Sequence, residues 1–285
     1  MIKLNDVELN FERYPNGELR VDGEQIHSLK KDLNKIAFKY ETDDDLLKLL
    51  FVKSCLDEDR LSTSLLIYYM PYSRMDRVEN RSVFTLKYIC KMINSMNFSS
   101  VVVIEPHSDV TPALLDRCVT LYPTVGLLGQ VMGEVGFDEY RDYLFFPDTG
   151  AAKRYGKDIS YNQLVGYKKR DFATGRITQL DVLGEIKGTG FKAIIMDDLC
   201  SFGGTFIRSA ERLKALGAAE VYLLVAHCES SIFKGEIFKN DLITRVYTTN
   251  SIIPSSSADF DGMGIDCRGR LIIFDLEKIC FNKTE

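Results

Sequence analysis

The sequence has no tryptophan and only three histidines, His27, His107 and His227. Its seven cysteines are spread along 285 residues, with no CxxC pair, and most stand in apolar runs. A structural zinc site needs a tighter cluster of Cys and His, so the pattern points to buried, reduced thiols. No apolar stretch nears the length of a membrane span, and residues 1–13 lack the apolar core of a signal peptide. A soluble, cytoplasmic protein without a membrane partner is therefore expected. Low-complexity tracts and solenoid-period repeats are also missing. The net charge of -5 lacks the basic excess of a nucleic-acid surface, so no nucleic-acid partner is expected. A local basic site for phosphates remains compatible with it.

What is present is one recurring pattern: a short apolar run, a polar loop, then helical spacing. Residues 65–70 read as a buried strand that enters the loop 71–81. Val83, Leu86, Ile89, Cys90, Ile93 and Met96 then recur with the period of a helix. Residues 101–104, 144–146, 193–196, 221–226 and 271–274 read as further strands. The run 197–205 reads as a loop before a helix that reaches about Leu216 and stops at Gly217. Strand, loop and helix in alternation predict an α/β fold with mainly parallel sheets flanked by helices. Two domains are expected, 1–125 and 126–285, the last residues packing back on the first. In such sheets ligands sit beyond the carboxyl ends of the strands. The clusters 43–45 and 57–60 read as solvated helix ends or loops.

The strongest motif is Asp197-Asp198-Leu199-Cys200-Ser201-Phe202-Gly203-Gly204-Thr205, at the end of an apolar strand. Backbone N–H groups of a glycine turn, with a helix N-terminus behind them, bind phosphate. Two adjacent carboxylates at a strand end can accept hydrogen bonds from vicinal sugar hydroxyls or hold a metal through water. An acidic turn capped by glycines is the bland alternative, and the full strand–carboxylate–glycine–helix run outweighs it.

This run resembles the ribose-phosphate loop of type I phosphoribosyltransferases and ribose-phosphate pyrophosphokinases. Further segments are similar to the pyrophosphokinases in particular, in that family's order. They are Tyr14-Pro15-Asn16-Gly17-Glu18, then Tyr72-Ser73-Arg74-Met75-Asp76-Arg77 with Arg81 and Lys87, then Glu105-Pro106-His107. After these come Pro147-Asp148-Thr149-Gly150-Ala151-Ala152-Lys153-Arg154, Tyr167-Lys168-Lys169-Arg170 and Thr249-Asn250-Ser251-Ile252. A phosphoribosyltransferase that consumes the activated sugar has no use for the segments at 72–77 and 147–154. The resemblance implies two phosphoribosyltransferase-like domains, the first binding ATP. It also implies transfer of a diphosphate from ATP to the anomeric hydroxyl of ribose 5-phosphate, with AMP leaving.

Residue by residue, the resemblance gives Lys168, Arg170 and His107 catalytic roles, with Gly175 in a closing lid. Tyr14, Asn16, Glu18, Arg74, Met75, Arg77 and Glu79 would bind ATP, the first three often across a subunit boundary, which implies a homo-oligomer. Arg77 is equally placed to pair with Asp76 or Glu79. Asp197, Asp198, Cys200, Ser201, Phe202, Gly203, Gly204 and Thr205 would hold the ribose phosphate, Cys200 as a small buried filler. Mg²⁺ is the implied cofactor, with Asp148 and His107 as protein ligands; His227 reads as structural.

The chain also departs from the family. Ser201-Phe202-Gly203-Gly204-Thr205 stands where the family has Asp-Thr-x-Gly-Thr, Met75 replaces a usual Gln, and the chain starts later than the pattern. An aromatic at the 5′ end of the pocket makes a larger acceptor such as ADP-ribose an alternative, which would serve NAD metabolism. A catalytically inactive regulatory relative is a further alternative; retention of Lys168, Arg170, Asp148 and His107 speaks against it.

Overall fold

A computed structural model describes residues 1–170, 177–254, 267 and 269–281. The chain divides into two compact units, Met1–Tyr122 and Pro123–Glu285. The first contains β1 (Ile2–Leu4), β2 (Val7–Glu8), β3 (Phe11–Arg13), β4 (Leu19–Val21), α1 (Gly23–Leu29), β5 (Leu33–Phe38), α2 (Asp44–Glu58), β6 (Ser62–Ile67), α3 (Thr85–Ser95), β7 (Val101–Ile104), α4 (Val110–Leu114) and β8 (Cys118–Leu121). Its sheet runs β2-β1-β5-β6-β7-β8. The pairs from β5 to β8 are parallel, while β1 and β2 join antiparallel. A separate hairpin, β3–β4, carries residues 14–18 at its turn.

The inner parallel strands β5, β6 and β7 carry apolar stretches that are buried in the sheet, while the edge strand β8 stays partly exposed. Ile36, Phe38, Leu65, Ile67, Val101 and Val103 are buried in a core completed by Leu49, Val52 and Leu56 of α2 and Leu86, Cys90 and Ile93 of α3. The helical spacing read across 83–96 therefore marks a real buried face, although Val83 itself is exposed ahead of the helix.

The second unit contains α5 (Pro123–Val135), β9 (Tyr143–Phe146), α6 (Thr149–Tyr155), β10 (Gln163–Arg170), β11 (Ile177–Leu183), β12 (Phe191–Cys200), α7 (Gly204–Ala215), β13 (Ala218–Cys228), β14 (Arg245–Thr249), β15 (Leu271–Phe274) and α8 (Leu276–Phe281). The sheet order is β11-β10-β9-β12-β13-β14-β15, parallel except for the β10–β11 pair. Cores lie on both faces: Ile195, Phe206, Leu213 and Leu223 on one, Leu128, Val131, Ile194, Met196 and Leu224 on the other. The α8 helix packs on α5 within this unit.

Both sheets have the expected fold class, mainly parallel with helices against them. The run 197–205 differs from the expectation of a loop. β12 continues through both aspartates to Cys200, because β13 keeps pairing with it as far as Cys200 opposite Cys228. Only 201–203 remain as the turn before α7, which ends where Gly217 takes a left-handed φ of +100°. Gly175, expected in a closing lid, lies outside the described residues.

Candidate active site

In the second unit the carboxyl ends of β9, β10 and β12 gather the site. Phe145 lies opposite Ile195, and Val165 lies opposite Phe146. Continued past the strand ends, that register sets Asp148 level with Asp197–Asp198 and brings the backbone of 167–170 alongside. Gly166 permits the approach: a Cβ there would stand 2.7 Å from the Pro147 carbonyl oxygen. Lys168 and Arg170 are thus placed, through their backbone, at this edge of the sheet.

Asp148 caps α6, its Oδ1 accepting hydrogen bonds from the Gly150 and Ala151 amides at 3.1 Å. Six residues on, Arg154 stands in the last turn of the same helix. Helical side chains lean toward the N-terminus, and Arg154 reaches back to the strand ends. Its Nη1 lies 3.1 Å from Asp198 Oδ1 and 3.9 Å from Asp197 Oδ1. Burial opposes the Arg154 charge, but Asp198, Tyr155 and Asp197 outweigh it and raise the guanidinium pKa. Burial above all, then Asp198 and Asp148, push the Asp197 carboxyl well above the ordinary range. The Asp198 amide donates to Asp197 Oδ1 at 2.9 Å. The result is a compact, desolvated group of carboxylates and one cation, suited to hydrogen-bonding a vicinal diol.

The glycine turn closes this group. Gly203 sits at φ +81°, where an L side chain is disfavoured, and a Cβ on it would stand 2.3 Å from Ile237 Cδ1. Gly235, from the segment after β13, comes closer still: its Cβ would stand 1.9 Å from the Phe202 carbonyl oxygen. Ser201 Oγ and Ser231 Oγ are 3.0 Å apart, and Ser231 Oγ donates to Glu229 Oε2 at 3.1 Å. Gly204 opens α7, leaving the first amides of a twelve-residue helix beside the turn. The Phe202 ring is 58% exposed, so it faces solvent at the mouth of this turn. Cys200 differs from its neighbours: its side chain is fully buried, and any part it takes in binding runs through its backbone. Its hydrogen bond with Cys228, then burial, raise the thiol well above the usual range.

In the first unit the segments at the sheet's carboxyl edge are more exposed. Tyr14, Asn16 and Glu18 are exposed on the β3–β4 turn. Arg74, Met75, Arg77 and Glu79 are exposed in the loop after β6. Arg77 Nε stands 3.2 Å from both Asp76 and Glu79, so both candidate pairings occur together. His107 is half-buried after β7, two residues beyond a fully buried Glu105 whose φ is +42°. Tyr72 and Asn80 also have positive φ, +60° and +56°. Such conformations are costly for residues other than glycine and concentrate at functional loops.

Among the described residues no three His, Cys, Asp or Glu side chains are grouped to hold a metal. Mg²⁺ in phosphoryl-transfer sites takes one or two protein oxygens and fills its octahedron with waters and substrate phosphates. Asp148 fits that smaller role. His227, read as structural, is buried, with Nδ1 2.8 Å from Ser251 Oγ. Ser251 also donates to the Ala226 carbonyl, so the 249–252 segment stitches the ends of β13 and β14. Sequence reading missed two residues at the glycine turn, Glu229 and Ser231, which no motif marks. It quoted Arg154 without a role; a basic residue one helix-length after Asp148 was the available signal.

These two parallel-sheet units are of the phosphoribosyltransferase-like α/β class. Over most of its length the chain is similar to ribose-phosphate pyrophosphokinases. It is 24% identical over 241 residues to the ribose-phosphate pyrophosphokinase of Staphylococcus haemolyticus, covering 81% of this chain and 74% of that one. With the Sulfolobus acidocaldarius ribose-phosphate pyrophosphokinase it shares 26% identity over 264 residues, 88% of this chain and 87% of the relative. The crystal structure of phosphoribosylpyrophosphate synthetase from Mycobacterium smegmatis superposes with a TM-score of 0.72 at 16% identity, covering 95% of this chain and 88% of that one. No family model matches the chain. Among the described residues no helix is long and apolar enough to cross a membrane.

Proposed function

We propose that the chain is an ATP-dependent diphosphotransferase acting on the anomeric hydroxyl of ribose 5-phosphate. The acceptor oxygen attacks the β-phosphorus of ATP, the bond from that phosphorus to the α,β-bridging oxygen breaks, AMP departs and the hydroxyl proton is released. The observation that carries this reading is the group formed by Asp148, Arg154, Asp197 and Asp198 next to the 201–203 turn, at one sheet edge with the backbone of Lys168 and Arg170. Asp197 and Asp198 hold the ribose hydroxyls, and the glycine turn and the first amides of α7 hold the 5′-phosphate. Arg74 binds ATP phosphates, with Tyr14, Asn16 and Glu18 as the adenine-contacting set. Asp148, with His107 as a second candidate ligand, would hold an Mg²⁺ brought by ATP, which would neutralise phosphate charge. Positioning and charge stabilisation dominate such transfers.

The test is AMP formation from ATP and Mg²⁺ with ribose 5-phosphate. A Lys168→Ala variant should lose far more turnover than ATP affinity, because the charge it meets develops in the transition state. Absence of AMP with any ribose-phosphate acceptor sinks the assignment.

One observation favours a second acceptor. The exposed Phe202 ring at the mouth of the phosphate turn offers a face on which an adenine can stack. Glu229, tied to the same turn through Ser231 and Ser201, places a carboxyl group beside it. A diphosphate-linked ribose such as ADP-ribose carries less charge per phosphate. Incubation with ATP, Mg²⁺ and each acceptor, with products resolved by mass, distinguishes the two; no diphosphorylated ADP-ribose removes the second reading.

A further inference from the structure

Helix α2 begins with three consecutive aspartates, and each has a different partner. Asp45 is buried and reaches back to the segment before the helix: its Oδ2 accepts from the Glu41 and Thr42 amides at 2.9 Å, and its Oδ1 accepts from Lys48 Nζ at 2.6 Å. Burial pushes the Asp45 carboxyl up, but those hydrogen bonds reverse the effect and leave it below its ordinary value. Asp43 stands at the N-cap position without capping. Its Oδ1 accepts instead from two phenols, Tyr40 at 2.6 Å and Tyr72 at 2.5 Å. Asp44 pairs with Arg13, whose Nη1 also donates to the Gly17 carbonyl across the β3–β4 turn.

Asp44 therefore ties down the hairpin that carries Tyr14, Asn16 and Glu18. Asp43 ties down Tyr72, at the start of the loop that carries Arg74. Tyr72 holds a left-handed backbone that an aromatic residue rarely adopts, so something must hold it there. The Tyr40 and Tyr72 rings, 6.3 Å apart, pack against each other and add to that hold.

We propose that the first turn of α2 is a bracket that fixes the hairpin 14–18 and the loop 73–81 in one relative arrangement, with Arg13, Asp43, Asp44 and Tyr72 as positioning residues for nucleotide binding. The proposal rests on the ATP role given above to those two segments. The bracket itself is a property of the free protein and is read separately from activity.

Tyr72→Phe removes one hydrogen bond and keeps the ring, while Arg13→Gln removes the ion pair. Amide hydrogen exchange of the nucleotide-free protein is the first readout. Exchange across 73–81 should rise in Tyr72→Phe, exchange across 14–18 should rise in Arg13→Gln, and the sheet strands should stay protected. Equilibrium binding of ATP is the second. Each variant should weaken ATP roughly three- to tenfold, the size expected from one lost hydrogen bond, and leave acceptor affinity unchanged. The double variant should lose less than the product of the two, since both act on one arrangement. Unchanged exchange in both segments overturns the bracket, as does an equal fall in ATP and acceptor affinity. If the unsubstituted protein binds ATP but forms no AMP, the diphosphotransfer reading fails and the bracket stands or falls by the exchange data.

Discussion

The two units repeat one plan, strand to loop to helix, but hold their polar residues in opposite ways. In the second unit the site groups are withdrawn from water: Asp198 is buried, Arg154 grips it, and the glycine turn is wedged by Gly235. In the first unit Arg74, Arg77, Asn16 and Glu18 stand in solvent, and order comes from hydrogen bonds around the start of α2. Desolvated charge gives strong, fixed contacts with a small ligand part, at the cost of stability. Exposed, strapped loops suit a large ligand that must enter and leave. The same fold therefore carries a tight polar cluster in one unit and exposed, strapped loops in the other.

Substitutions can break or sharpen this contrast. The largest effect is expected at Gly235→Ala, where the new methyl meets the Phe202 backbone. A loss of about 4 kcal/mol, seen as a lower denaturation midpoint, is predicted together with loss of acceptor binding. Arg154→Met leaves the buried Asp198 without this partner and should cost about 3 kcal/mol in the same unfolding assay. If either change is tolerated, the second unit is not wedged as described.

Arg74→Lys should weaken ATP roughly tenfold, since an ammonium cannot make the paired contacts of a guanidinium. Calorimetric titration checks this. Asp197→Asn should stabilise the ligand-free protein. Its carboxyl pKa is raised on folding, so the wild-type contribution is fully favourable only in acid and is lost as pH rises through the folded value. The variant should therefore gain a few degrees in Tm near neutral pH and nothing in acid. The smallest effect belongs to Arg77→Ala, whose pairs with Asp76 and Glu79 involve a well-exposed side chain. Less than about 1 kcal/mol is expected on unfolding.

The parallel strands and the glycine turn were legible because burial on both faces produces uninterrupted apolar runs, as in 101–104 and 193–196. The α2 helix was not legible. Leu47 and Phe51 leave apolar side chains exposed opposite the buried Leu49 and Val52, which blurs the stripe. The short strands β1 to β4 are too brief to carry a period. At the site, the strand-end motif and the family-like run 147–154 singled out Asp197, Asp198 and Asp148 but gave Arg154 no task, since its contact depends on a helix turning the side chain back toward the strand ends. The acidic run 43–45 read as a solvated end, yet Asp45 is buried and its neighbours are engaged. Partners from thirty residues away, such as Arg13 and Tyr72, leave no local mark.

Helix α6 has a geometric consequence. Asp148 fixes its beginning, Arg154 returns from its end to Asp198, and the parallel register of β9 and β12 supplies the third side. Three sides make a triangle, and a triangle does not shear. The spacing of these carboxylates is thus braced by the protein's own contacts, and a guest should fit that span without reshaping it.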